Sequence, residues 1–113
     1  MDQRVKSALW VGAQLRLCDV AGRPATVLRH GDDDAGAIIL KIIGANGQAR
    51  VLAQTTAPEG GLAWHWPLGA QPVPEAEAEA YIARQVKFDP DLWALEVIDR
   101  SGEYLPDGRI LRQ

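Results

Sequence analysis

The chain has 113 residues, 47 per cent of them apolar and 24 per cent charged, with a formal net charge of −3. That length and apolar share fit one domain over residues 1–113 with a core of its own, so neither a disulfide framework nor a structural metal is needed. The acidic balance lacks the dense positive field that general nucleic-acid or membrane-surface binding needs, although twelve Lys and Arg leave room for a local basic patch.

Cys18 is the single cysteine, so no intrachain disulfide can form, and a reducing compartment fits best. The N-terminal residues run into no long apolar stretch, because Gln14 and Arg16 interrupt the run from Ala8. No segment reaches the roughly 18 unbroken apolar residues of a membrane span. The expected location is cytoplasmic.

Residues 7–21 carry two periodicities. Leu9, Val11, Ala13, Leu15 and Leu17 alternate as in a strand, whereas Leu9, Ala13, Leu17 and Val20 lie at helical spacing. Ser7 as an N-cap, Gly22 as a C′ residue and Pro24 just beyond favour a helix, against the cost of Gly12 in its interior. Ala25–Arg29 is then a short strand, residues 30–36 a loop rich in turn formers, and Ala37–Ile43 the clearest strand. Asn46-Gly47 marks a hairpin turn leading to a strand over Ala49–Gln54. A short strand over Leu62–Pro67 completes an antiparallel meander. Pro74 opens a second helix that runs to about Lys87, with Ala78, Tyr81, Ile82 and Val86 as its apolar stripe and Glu75 and Glu77 near its positive end. Leu92–Ile98 is the last strand, and residues 1–5 and 100–113 are expected at the periphery, loosely held.

The order α-β-β-β-β-α-β lacks the regular alternation of a doubly wound sheet. It predicts an α+β domain in which two helices pack on a mostly antiparallel sheet of about five strands. Ile38, Leu40 and Ile42 share one face of their strand, and Ile39 and Ile43 the other, with Lys41 among them. A strand apolar on both faces needs cover on both, and a second subunit is the expected source of the missing half.

Several runs carry a family likeness: Ser7-Ala8-Leu9-Trp10-Val11, Arg29 to Gly31 with Ala35-Gly36-Ala37-Ile38, and Gly47 before a strand. Glu77 to Arg84 and, most specifically, Asp89-Pro90-Asp91-Leu92-Trp93 leading to Glu96 complete the set. Over about residues 4–99 the chain resembles the DUF1491 family of uncharacterised alphaproteobacterial proteins. The resemblance implies a compact bacterial intracellular domain, favours the helix for residues 8–21, and carries no catalytic residue with it.

The residues that could carry chemistry are few. Asp32-Asp33-Asp34 lacks the third acidic ligand and the later Glu of a calcium loop and reads as a solvated turn. His30, His65 and Cys18 are too few and too far apart for a zinc site, and Cys18 reads as an inert buried thiol. Nucleophile-elbow, P-loop and dinucleotide motifs are absent. No catalytic residue, cofactor or metal is therefore assigned. Trp64 and Trp66 share a strand face with Leu62, opposite Ala63 and His65, and form either a docking platform or a cap on the core. Glu96, in the most apolar strand, needs a cationic partner, for which Arg16, Arg29, Lys41 and Arg84 are available. Arg29, Lys41 and Arg50 could line a basic strip.

The binding candidates are thus Trp64, Trp66, Glu96, Arg29 and Lys41. The leading reading is a non-enzymatic interaction domain, homodimeric and able to bind another bacterial protein. The alternative is a small-molecule-binding protein or enzyme built on a buried Glu96 with an Arg or Lys partner. An RNA-binding module runs against the acidic balance.

Overall fold

The computed structural model describes residues 5–111; the peripheral placement expected for residues 1–4, 112 and 113 falls outside them. In chain order the elements are α1 (Ser7–Val20), β1 (Ala25–Arg29), β2 (Ile38–Ile43), β3 (Ala49–Thr56), β4 (Leu62–His65), α2 (Glu75–Phe88), β5 (Trp93–Ile98) and β6 (Arg109–Ile110). The fold is α+β, but the sheet has six strands and is mixed, in the order β1-β5-β2-β3-β4-β6. β5 runs parallel to β2, and β6 parallel to β4, while the remaining neighbours are antiparallel.

The departure from a simple meander has one cause. β1 and β2 are not joined as a hairpin. α2 carries the chain from β4 back over the sheet and lays β5 between them, as a parallel pairing requires of its crossover.

Each helix covers one face. On the α1 side, Ile38, Leu40 and Ile42 pack with Leu52, Leu95 and Val97 beneath Val11 and Cys18. On the other side Ile39, Val51, Ala53 and Ala94 lie beneath Ala78 and Ile82 of α2. The two-sided apolar β2 therefore finds both covers within one chain, and the need for a second subunit at this strand disappears.

α1 ends as expected. Gly22 takes φ +73°, its N–H donates to the Asp19 carbonyl and that of Arg23 to the Cys18 carbonyl, which closes a Schellman motif. Its start differs: Lys6 is the N-cap, and the Ser7 hydroxyl lies inside the helix and donates to the Gly36 carbonyl at 2.6 Å. The Asn46-Gly47 turn forms with positive φ at Gly47 alone.

The C-terminal stretch, expected at the periphery, reaches the core. Tyr104 is buried and its hydroxyl donates to the Gln14 side chain of α1 at 3.0 Å. Asp99 accepts from the Tyr104 N–H at 2.9 Å and from Arg23 Nε at 3.2 Å. These bonds tie residues 99–104 to the C-terminal end of α1.

Candidate functional site

The two tryptophans singled out in the sequence have different fates. Trp64 is wholly buried and its indole N–H donates to the Asp107 carbonyl at 2.7 Å, so it belongs to the core. Trp66 is half-buried at the rim, with the Arg50 guanidinium 5.0 Å from its ring centre. No flat platform of paired indoles exists. Ala63, on the opposite face, is buried as well, and His65 is half-buried.

Glu96 does find a cation. Lys41 is its register partner on the parallel strand, and the ammonium lies 3.0 Å from the Glu96 carboxylate. Glu75 and Glu79, one turn apart on α2, reach the same nitrogen at 2.8 and 2.6 Å. Lys41 is 2 % exposed, and burial alone would push its pKa down. The three carboxylate bonds outweigh burial and hold it above the ordinary lysine range. A lysine so held stays protonated and is no nucleophile. Glu96 itself is about a quarter exposed rather than fully buried.

The basic strip does not form. Lys41 lies on the α2 side, whereas Arg50, opposite Ile42, lies on the α1 side. Arg29 donates from Nη2 to the Pro90 carbonyl at 2.6 Å, and its buried Nε has no acceptor among the described residues.

Two of the stretches that carry the family likeness, residues 29–36 and 89–93, meet in one joint. Trp93 donates its indole N–H to the Asp32 carbonyl at 2.8 Å and stacks at 4.1 Å on the His30 ring. The Asp32 N–H donates to the Asp91 carbonyl at 2.9 Å. Gly31 and Gly36 both crowd that carbonyl so closely that a Cβ at either position would overlap it. The Asp32 carboxylate accepts from the Asp34 and Ala35 N–H groups, and Asp33 bonds His30. The acidic run thus builds the loop that receives Trp93.

Two features lay beyond the reach of the sequence. The first is the side of α1 that faces out. Its buried line is Ser7, Val11, Gln14 and Cys18, while Leu9, Leu17 and Val20 are 66, 57 and 83 % exposed, with Gly12 and Ala13 exposed between them. The helical stripe read from the sequence points into solvent, and two polar side chains point inward. Gln14 is accounted for by Tyr104 and Ser7 by Gly36, so the inward polarity is satisfied. The second is a cavity of about 330 Å³ at the start of α1, between Ser7 and Trp10, the Asp34–Ile38 stretch, and the ends of β3 and β4. Among the described residues no helix is long and apolar enough to cross a membrane.

The two-helix, six-stranded mixed sheet with the joint between residues 29–36 and 89–93 defines a particular kind of α+β domain. The chain belongs to the DUF1491 family: the model of that family, described as "Protein of unknown function (DUF1491)", matches residues 5–107. It is similar to the crystal structure of a DUF1491 family protein from Caulobacter crescentus CB15, with 31% identity and a TM-score of 0.87 over 96% of this chain and 100% of that one. An NMR structure of a DUF1491 family protein from the same organism gives 30% identity and a TM-score of 0.84 over 98% and 100% of the two chains. The solution structure of Atu0922 from A. tumefaciens, 24% identical over 98% and 99%, shares the fold with a TM-score of 0.78. No curated protein matches the chain.

Proposed function

We propose that this protein is a non-enzymatic interaction domain that docks through the outward face of α1, and that the first occupant of that face is a second copy of the chain. The observation that carries the reading is the exposed stripe of Leu9, Ala13, Leu17 and Val20 on a helix whose buried line is half polar. An apolar stripe turned to solvent is costly unless something covers it.

A second copy is favoured by the symmetry of the stripe. Leu9 and Leu17 lie at equal distances on either side of Ala13. Two α1 helices packed antiparallel about a two-fold axis at Ala13 place Leu9 of each against Leu17 of the other, as an isologous contact demands. Gly12 and Ala13, the smallest residues of the face, sit at the crossing and let the helices approach closely. One helix face covers less than the roughly 800 Å² per partner of a standard interface, so the dimer is weak.

The alternative built on Glu96 has less support. Its carboxylate is engaged by Lys41, and Glu96 does not line the cavity.

Sedimentation analysis over a range of concentrations tests the proposal. The expected result is a monomer–dimer equilibrium that Leu17→Glu abolishes while leaving the melting temperature unchanged. A monomer at every concentration removes the second copy, and an unaltered dimer in the Leu17→Glu protein removes α1 as its surface.

A further inference from the structure

Asn46 is the only asparagine in the chain, and Gly47 follows it. Both are exposed at the tip of the β2–β3 hairpin, on a different element from the outward stripe of α1. We propose that Asn46 is a self-modification site: the Gly47 main-chain nitrogen displaces the Asn46 side-chain amide, and water opens the resulting ring to isoaspartate or aspartate.

The chemistry balances with water alone. The Gly47 nitrogen gives its proton to hydroxide and attacks Asn46 Cγ. A Cγ–N bond forms, the Cγ–Nδ2 bond breaks, and Nδ2 takes a proton from water and leaves as ammonia. The product is a five-membered succinimide. Water adding at the Asn46 main-chain carbon breaks its bond to the Gly47 nitrogen and leaves isoaspartate, with the chain running through Cγ. Water adding at Cγ leaves aspartate. One water is consumed and one ammonia released, with nothing oxidised or reduced. Either product carries one new carboxylate, which takes the formal net charge from −3 to −4.

Three features of the turn favour the attack. Glycine puts no side chain beside the attacking nitrogen, and the space next to its α-carbon is open. Asn46 Oδ1 accepts from the Gln48 N–H at 3.1 Å, and a donor on that oxygen stabilises the charge that gathers there as Cγ is attacked. The leaving nitrogen, Nδ2, donates to Gln48 Oε1 at 3.4 Å, a long bond that is readily given up.

The turn's own main-chain bonds oppose it. The Gly47 N–H donates to the Gly44 carbonyl at 3.0 Å, and the Gly44 N–H to the Gln48 carbonyl at 2.9 Å. The turn must open before Gly47 can attack, and an exposed hairpin tip lies at the low end of local opening free energies. An opening that costs about 1.4–2.8 kcal/mol makes the folded chain about ten- to a hundredfold slower than the free segment.

The lesion stays local. Just below the turn, the Ile43 carbonyl accepts from the Asp99 N–H, and Ala49 and Val73 exchange main-chain bonds in both directions, all at 2.8 Å. The extra backbone carbon of isoaspartate disrupts the turn and stops at these staples.

Ageing of the full chain at 37 °C and pH 8, beside a synthetic peptide of residues 42–50, tests the proposal. Trypsin cuts after Lys41 and Arg50, so the same fragment is recovered from the protein. The expected result is a fragment with the mass gain of an amide-to-acid exchange, formed about ten- to a hundredfold more slowly than in the peptide and faster at higher pH. It should separate into two products, one of which accepts a methyl group from S-adenosylmethionine in the presence of a protein isoaspartyl methyltransferase. The aged protein should keep the parent's melting transition. Conversion more than about a thousandfold slower than in the peptide would overturn the proposal. So would aspartate as the sole product, which means direct hydrolysis, or loss of the melting transition on conversion. An equal mass gain in the Asn46→Asp fragment would assign the reaction to Gln48 and overturn it too.

Discussion

Lys41 and Glu96 face each other across the parallel strands β2 and β5, and α2 adds Glu75 and Glu79 to the same ammonium. One buried cation with three acceptors makes the four residues unequal. Removing Glu96 leaves Lys41 with two carboxylates, so Glu96→Ala should cost about 1–2 kcal/mol. Removing Lys41 leaves three carboxylates converging on nothing and takes the tether of α2 with it, so Lys41→Met should cost about 3–5 kcal/mol. Urea melts of the two variants give the comparison, and equal losses would contradict this view of the cluster.

The pair Trp64 and Trp66 should separate in the same assay. Trp64→Ala empties a fully enclosed site and strands the Asp107 carbonyl, for a loss of about 3–5 kcal/mol. Trp66→Ala removes a rim contact and the Arg50 stacking, for a loss of about 1 kcal/mol. If the Trp66 variant loses as much as the Trp64 variant, the rim assignment is wrong.

Glycines offer a test of opposite signs. Gly31→Ala drives a methyl into the Asp91 carbonyl and the Trp93 ring and should destabilise by more than about 3 kcal/mol. Gly12→Ala meets open space on a helix and should stabilise by up to about 1 kcal/mol. Thermal melts distinguish them, and a tolerated Gly31→Ala would mean that the joint is looser than described.

Asp99 makes the protein acid-sensitive. Burial, the strongest single influence, opposes its charge, but the Tyr104 N–H, Arg23 and Ser101 together hold the carboxyl below the usual carboxylate range. A lowered value in the folded state means that the stabilisation is present above the ordinary aspartate range and is lost as pH falls through the folded value. Asp99→Asn should therefore be less stable than the parent near pH 7, and the gap should narrow once the pH falls below the ordinary aspartate range of about 4. Urea midpoints on either side of that range measure it; a gap that persists in acid would assign the effect to packing instead.

Much of the fold is legible in the sequence because its local signals are strong. Gly22 with Pro24, Asn46-Gly47 and Pro74 with its acidic first turn set the element ends to within about two residues. Strand order was not legible: nothing local to Ala25–Arg29 says that its partner is Trp93–Ile98 rather than Ile38–Ile43. The Lys41–Glu96 pairing is hidden for the same reason, since it exists only through the parallel register, and four cations looked equally available. The outward side of α1 was hidden by its composition. With apolar residues on both sides, periodicity marks a helix without saying which stripe is inside, and the decision rests on Gln14 finding Tyr104 across 90 residues of sequence.

The insertion of β5 between β1 and β2 has a consequence for how the molecule is made. β2, β3 and β4 pair with near neighbours in sequence and can assemble as the chain leaves the ribosome. β1 pairs with β5 alone, so its main-chain groups wait for residues 93–98 to be synthesised. Until then the N-terminal strand is an unpaired edge in the nascent chain, and closing it joins residues as far apart as Ala25 and Val97. Folding should be governed by that one late closure, and a chain arrested before residue 93 should carry a sticky, protease-sensitive N-terminal third.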